Sequence, residues 1–232
     1  MSTSAPSLPL TRLAFTSTAL FLMVLAAPLA HAGELPAFLE RAERMATVNE
    51  AVEAEVTITE ADGGTRKAHL ALSPKDDGTL TFDESTMGWT STTPLAWKQG
   101  QATVKTGSSP AAFGVNDSLA GTDLRGIDYF PFWKTDYGRA FVSDTNAQEQ
   151  TVSLFADQGR PYSLYVLTFD KERFVPTMIK FYKDSFSNLT RIRTNEDYVL
   201  VGSRLRPQKV TERDFTTNTT RTYTFVWKLA GS

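Results

Sequence analysis

The sequence predicts a mainly β fold: a long antiparallel sheet that curls, with one helix ahead of it. Three observations carry that prediction. The spacing of apolar residues changes from helical to two near residue 51. Strand-like runs rich in β-branched and aromatic residues then fill most of the chain to residue 229. The links between them are short and polar, such as DTNAQ, DQGRP, DKER and TTNTT, which suit an antiparallel meander and exclude βαβ crossovers.

Residues 1–32 precede the working fold. Arg12 supplies one positive charge, an apolar run extends from Leu13 to Ala30, and the small residues Ala30 and Ala32 form a signal-peptidase pattern. The expectation is export, cleavage before Gly33, and a single soluble domain over 33–232. An uncleaved anchor is the alternative, because about 18 apolar residues span a bilayer; Pro28 and the lack of a basic flank after the run favour cleavage. The chain has no cysteine, so the exported domain folds without disulfides and has no thiol to carry a lipid anchor. Its formal charge of −2 gives no electrostatic reason to bind nucleic acid.

From Glu34 onward, Pro36 suits a first helical turn, and Leu35, Phe38, Leu39, Ala42 and Met45 form an apolar stripe, predicting a helix over 34–50. Val52, Ala54, Val56 and Ile58 then alternate with polar residues. ADGG at 61–64 turns the chain, and TRKAHLALS returns it. DDG at 76–78 marks a further turn before TLTFDES, and PLAWKQGQATVKT forms a short hairpin around Gly100. Residues 107–137 are expected to be irregular. Seven strand-like runs follow, making around ten strands in all. A sheet of that length curls, and its concave face has to be covered; the helix stripe is the obvious cover.

Little chemistry is present. His31 lies in the leader, and His69 alternates with Lys67 on a strand, where a satisfied or solvated histidine is the ordinary case. There is no Gly-x-Ser-x-Gly elbow, no phosphate-binding glycine loop and no zinc set, so neither catalytic residues, metal ligands nor cofactors are assigned. Among carboxylate pairs, Glu53 and Glu55 share a polar face and Asp76 and Asp77 sit in a turn; only Asp123 and Asp128 lie in an apolar context. The basic residues between Thr190 and Asp214 are interleaved with Glu196, Asp197, Glu212 and Asp214, and are expected to form a solvated strand face.

The segment GTDLRGIDYFPFW at 121–133 supplies a family resemblance. Gly121, Thr122, Asp123, Leu124 and Asp128 match a Gly-(Ser/Thr)-Asp-(Leu/Phe)-x-x-x-Asp pattern, and YSLYVLTFDKERFVPTMIKFYKD and RLRPQKVTERDFTTNTTRTYTF resemble later hairpins of the same family. Together with the leader, the first helix and the meander, they make the chain similar to the LolA-like outer-membrane lipoprotein-sorting proteins. Trp97 lacks the tyrosine-proline that follows the tryptophan in that family. The resemblance implies a half-open antiparallel barrel with a helical or loop lid, located in the periplasm, that holds lipoprotein acyl chains or other hydrophobic cargo. It also implies an inner-membrane exporter as donor and an outer-membrane acceptor. A lipid-sensing or adaptor module on the same fold is the alternative.

On that reading the stretch around Pro131 crosses the mouth of the sheet. Asp123 is expected to cap a short helix, with Tyr129, Phe130, Phe132 and Trp133 at the cavity rim; ordinary core at a barrel end is the competing account. Phe38 and Trp97 join the apolar lining. So do Tyr165, Leu167 and Phe169 on one side of a strand, Ile179 and Phe181 opposite Lys180, and Tyr223, Phe225 and Trp227. The helix is too short to cover all of these, so some are expected to face a ligand.

Overall fold

The structure, a computed structural model, describes residues 34–74, 78–82, 85–90, 101–105, 111–114, 122–125, 128–129, 131, 133, 137, 139–156 and 162–231. The chain divides into Met1–Gly33 and Glu34–Ser232, and all described residues lie in the second unit. Among them, no helix is long and apolar enough to cross a membrane.

Helix α1 (Glu34–Ala46) precedes β1 (Val52–Thr59), β2 (Thr65–Leu72), β3 (Gly78–Phe82), β4 (Ser85–Thr90), β5 (Gln101–Lys105) and β6 (Ala111–Gly114). The second half contains β7 (Arg139–Thr145), β8 (Glu149–Phe155), β9 (Leu164–Asp170), β10 (Val175–Tyr182), β11 (Leu189–Val201), β12 (Arg204–Asp214) and β13 (Thr219–Leu229). The thirteen strands among the described residues form one sheet, ordered β6-β5-β4-β3-β2-β1-β13-β12-β11-β10-β9-β8-β7. Every described pairing is antiparallel. The sheet is not closed. Neighbours in space are neighbours in sequence except at one seam, where the last strand, β13, pairs with the first, β1, from Val52↔Leu229 to Thr59↔Thr222.

The half-buried strands behave as their alternation predicts. Val52, Ala54, Val56 and Ile58 of β1 and Ala68, Leu70 and Leu72 of β2 are buried, with the polar residues between them more exposed. Gly63 turns the first hairpin at φ 86°, a left-handed backbone that glycine adopts without Cβ strain.

Three boundaries differ from expectation. The run beginning TLTFDES is two strands, because Phe82 pairs with Ser85. Ala111–Gly114, inside the segment expected to be irregular, pairs with β5 as the edge strand β6; four residues with no alternation give no period to detect. Helix α1 ends at Ala46 and not at residue 50, and Thr47 closes it with both its N–H and its hydroxyl on the Glu43 carbonyl. Of the hairpin read around Gly100, only β5 is described; residues 91–100, Trp97 among them, lie outside the described residues.

Candidate functional site

The open sheet dictates where the irregular segment runs. Strands β6 and β7 are its two outer edges, and they are consecutive in sequence, so the chain between them, here called the strap, links one edge to the other. The described residues of this strap show it crossing the inner face in order. The Asp123 N–H donates to the Tyr223 hydroxyl on β13 at 2.8 Å. Asp128 pairs with Arg191 and Arg193 on β11. Trp133 meets Phe169 on β9 edge-to-face at 5.4 Å, and Tyr137 meets Tyr165 at 4.7 Å. Helix α1 covers the same face, with Leu39 and Ala42 buried in the cluster that holds Trp133, Tyr165, Leu167, Phe169, Ile179 and Phe181.

Asp123 does not cap a helix. Its carboxylate accepts from Arg221 Nη1 at 2.9 Å, and the same arginine donates through Nε to Glu60 at 2.6 Å. Thr122 Oγ1 accepts from the Leu124 N–H instead, and Asp128 Oδ2 accepts from the Arg125 N–H. The strap is therefore a chain of turns held by carboxylates, and its acids are used to grip arginines on the sheet.

Those arginines overturn the expectation of a solvated strand face for one side of β11 and β12, while Asp197, Arg213 and the Lys209–Glu196 pair remain solvent-facing as expected. Arg191 is 1% exposed, Arg193 4%, Glu212 0% and Asp214 4%. Strand alternation sets parity but not which parity faces inward. Register decides it: Phe181↔Arg191 and Ile179↔Arg193 place both guanidinium groups beside the inner residues of β10. Arg191 lies over the Phe181 ring at 3.8 Å. Arg193 Nη1 reaches Glu212 Oε1 at 3.1 Å and Asp128 Oδ2 at 3.2 Å, and its Nε donates to Asn195 Oδ1 at 2.9 Å.

Burial raises the Glu212 carboxyl to about 7, against the pull of Arg191 and Arg193. Burial also works to lower Arg191 and Arg193, but the Asp128 and Glu212 charges outweigh it and hold both above the ordinary range. For Asp214, burial is outweighed by bonds from Thr216, Thr217 and Arg125, which hold its carboxyl below the usual value. This ionic seam separates two apolar clusters. One is built from β1, β2, β13 and the strap residues Leu124 and Tyr129; the other joins α1 to β8, β9 and β10.

The predicted lining residues are distributed over this inner face. Phe38 contacts Phe169 and Phe174 with ring centroids 5.4 Å and 5.3 Å away. Tyr129, Trp133, Tyr165, Leu167, Phe169, Ile179, Phe181, Tyr223 and Phe225 are buried, and Trp227 is partly buried and stacked on Phe225 at 5.1 Å. Phe130 and Phe132, like Trp97, lie outside the described residues. The helix and the strap together cover more of the face than the helix stripe alone suggested. Between them lies a cavity of about 50 Å³, lined by Ala46, Trp133, Val175, Ile179, Phe225 and Trp227, with Arg193 and Arg206 among its polar groups. That is far below the roughly 300–1,000 Å³ of ligand pockets.

Among the described residues there is no group of three or more His, Cys, Asp or Glu arranged to hold a metal ion. His69 is satisfied on the outer side of the first hairpin, with Nδ1 3.1 Å from Glu55 and Nε2 3.9 Å from Glu53.

Comparison of the sequence with protein-family models and with curated proteins gives no match. Solved structures do match. A domain assigned to outer-membrane lipoprotein sorting from Vibrio parahaemolyticus has a TM-score of 0.68 at 14% identity, covering 85% of this chain and 92% of that one. A DUF1329 family protein from Desulfovibrio piger scores 0.63 at 12% identity, covering 84% and 93%. A LolA superfamily protein from Nitrosomonas europaea scores 0.54 at 17% identity, again covering 84% and 93%. With an open antiparallel sheet, one N-terminal helix and a strap across the inner face, this chain has the fold of the LolA-like proteins.

Proposed function

We propose that this chain is a periplasmic carrier that shelters the acyl chains of lipoproteins, or another hydrophobic cargo, on the inner face of its sheet for sorting to the outer membrane. The observation that carries the reading is the way that face is covered. A second sheet does not close it; a 13-residue helix and a separate strap do, and they meet over an apolar cavity. Each CH₂ withdrawn from water contributes about 0.8 kcal/mol, so an acyl chain crossing an aqueous space needs such a surface and no reactive groups. Displacing either cover enlarges the 50 Å³ cavity toward the size an acyl chain fills, and withdrawal of the chain lets the covers settle back. An inner-membrane donor and an outer-membrane acceptor complete the route.

The lipid-sensing or adaptor alternative draws on a different feature. Phe141, Phe155 and Phe186 form an edge-to-face ridge on the opposite side of the sheet near β7, with Phe141 56% and Phe186 60% exposed.

Binding of the methyl ester of cis-parinaric acid, which gains fluorescence in apolar surroundings, tests the carrier reading. Delipidated protein is expected to bind it, Phe225→Asp to abolish binding through a buried unpaired carboxylate, and Trp133→Ala to change uptake and release rates more than folding. Binding of neither the ester nor the free acid by the wild-type protein overturns the carrier role. If Phe141→Ser leaves ester binding intact but abolishes an envelope phenotype, the adaptor reading gains ground.

A further inference from the structure

Among the described residues, the ionic seam leaves one buried cation out. On the inner face, Arg191 and Arg193 are matched by Asp128 and Glu212, Arg125 by Asp214, and Arg221 by Asp123 and Glu60. Arg206, on β12, is only 6% exposed and has no carboxylate within ion-pair distance among the described residues. Its Nη1 and Nη2 donate to the Ala46 and Thr47 carbonyls at 2.7 Å and 3.2 Å, at the C-terminal end of α1. Its Nε is buried without a hydrogen-bond partner. Burial first, and then the neighbouring Arg204, lower its pKa to about 10, and the carboxylate that opposes them, Glu50, is tied to Ser203.

A helix C-terminus supplies only about half a negative charge, and arginine does not readily lose its proton. The fold therefore holds a guanidinium whose charge is incompletely answered, at the wall of the apolar cavity beneath α1 and the strap. Trp227, Phe225, Ile179 and Val175 supply apolar lining, and the other charged residues of the wall, Asp128 and Arg193, are already paired with each other. An apolar cavity with one such cation matches a long chain with one anionic end.

We propose that the cargo is an anionic amphiphile, a long-chain carboxylate or phosphate, whose head docks on Arg206 and whose chain enters between Trp227 and Ile179. The inference rests on the carrier reading and narrows it. A neutral acyl group fills the apolar wall but leaves the Arg206 charge unanswered. An anionic head accepts a charge-assisted hydrogen bond from the Arg206 Nε–H in a desolvated site.

The test compares cis-parinaric acid with its methyl ester on the full mature chain after delipidation. Wild-type protein is expected to bind the acid at least tenfold more tightly than the ester. Arg206→Gln is expected to erase that preference by lowering acid affinity more than ester affinity, and Arg206→Lys to retain most of it. Palmitate and lysophosphatidate then compete for the probe, which separates carboxylate from phosphate heads; inorganic phosphate alone is expected to be a poor competitor. Equal affinity for acid and ester in the wild-type protein overturns the charge inference and leaves the carrier reading standing. Binding of neither overturns both. The wild-type comparison does not depend on any variant folding, and an acid preference that persists in folded Arg206→Gln also refutes the proposal.

Discussion

Replacing Asp128 by asparagine tests how the strap is held. The Asp128 side chain is 1% exposed and faces Arg191 and Arg193, which are themselves 1% and 4% exposed. Without its charge, two buried guanidinium groups are left with Glu212 alone. Removing one partner from a buried ion pair costs about 3–5 kcal/mol, because the remaining charge stays desolvated and unmatched. Two features place the expected loss near the lower end of that range. Asparagine keeps an oxygen to accept from the Arg125 N–H. Glu212 also ionises more readily once the Asp128 charge, which opposes its ionisation, is gone.

Urea unfolding followed by far-ultraviolet circular dichroism measures the loss, and hydrogen exchange at Asp123 and Asp128 reports whether the strap lifts before the sheet unfolds. Arg191→Met combined with Asp128→Asn is expected to cost less than the two single losses summed, since the pair leaves one arginine facing one glutamate. The exposed Lys209–Glu196 pair is the control, and Lys209→Gln is expected to have no measurable effect. A loss for Asp128→Asn below about 1 kcal/mol, the range of exposed ion pairs, refutes the account of a buried latch.

Glu212 makes a separate prediction about pH. Its folded-state carboxyl is raised, so its contribution to stability is fully present below its ordinary value and is lost as pH rises through about 7. The thermal midpoint is expected to fall between about pH 5 and pH 8, and Glu212→Gln to flatten that slope; an unchanged slope contradicts the assignment. Gly202→Ala is expected to destabilise the β11–β12 hairpin. Glycine holds φ 58° there, a Cβ would overlap Glu50 Oε2, and left-handed backbone alone costs a non-glycine residue about 1–2 kcal/mol; denaturant unfolding measures it. His69→Ala is expected to leave acyl-probe binding unchanged and to shift stability by less than about 1 kcal/mol, because its glutamate partners are on the exposed outer face. Loss of probe binding in folded His69→Ala would assign that residue a function.

The sequence by itself determined the local periods and the faces they imply. The stripe of Leu35, Phe38, Leu39 and Ala42 could bury only one helix face, and it does. Alternation in β1 and β2 specified which side chains share a face, and the short links specified antiparallel neighbours. Tertiary structure decided which face is the inside and what lies on it. Arg191, Arg193 and Glu212 alternate as a polar strand face would, and only the register against Phe181, Ile179 and the strap reveals them as a buried ionic seam. The role of GTDLRGIDYFPFW depended on strand order in the same way. Its described residues lie across the inner face because β13 pairs with β1 and leaves β6 and β7 as the far edges, a long-range pairing that no local period encodes. The charge left over at Arg206 is a property of the assembled face as well: it exists only where the end of α1, strands β10 to β13 and the cavity meet.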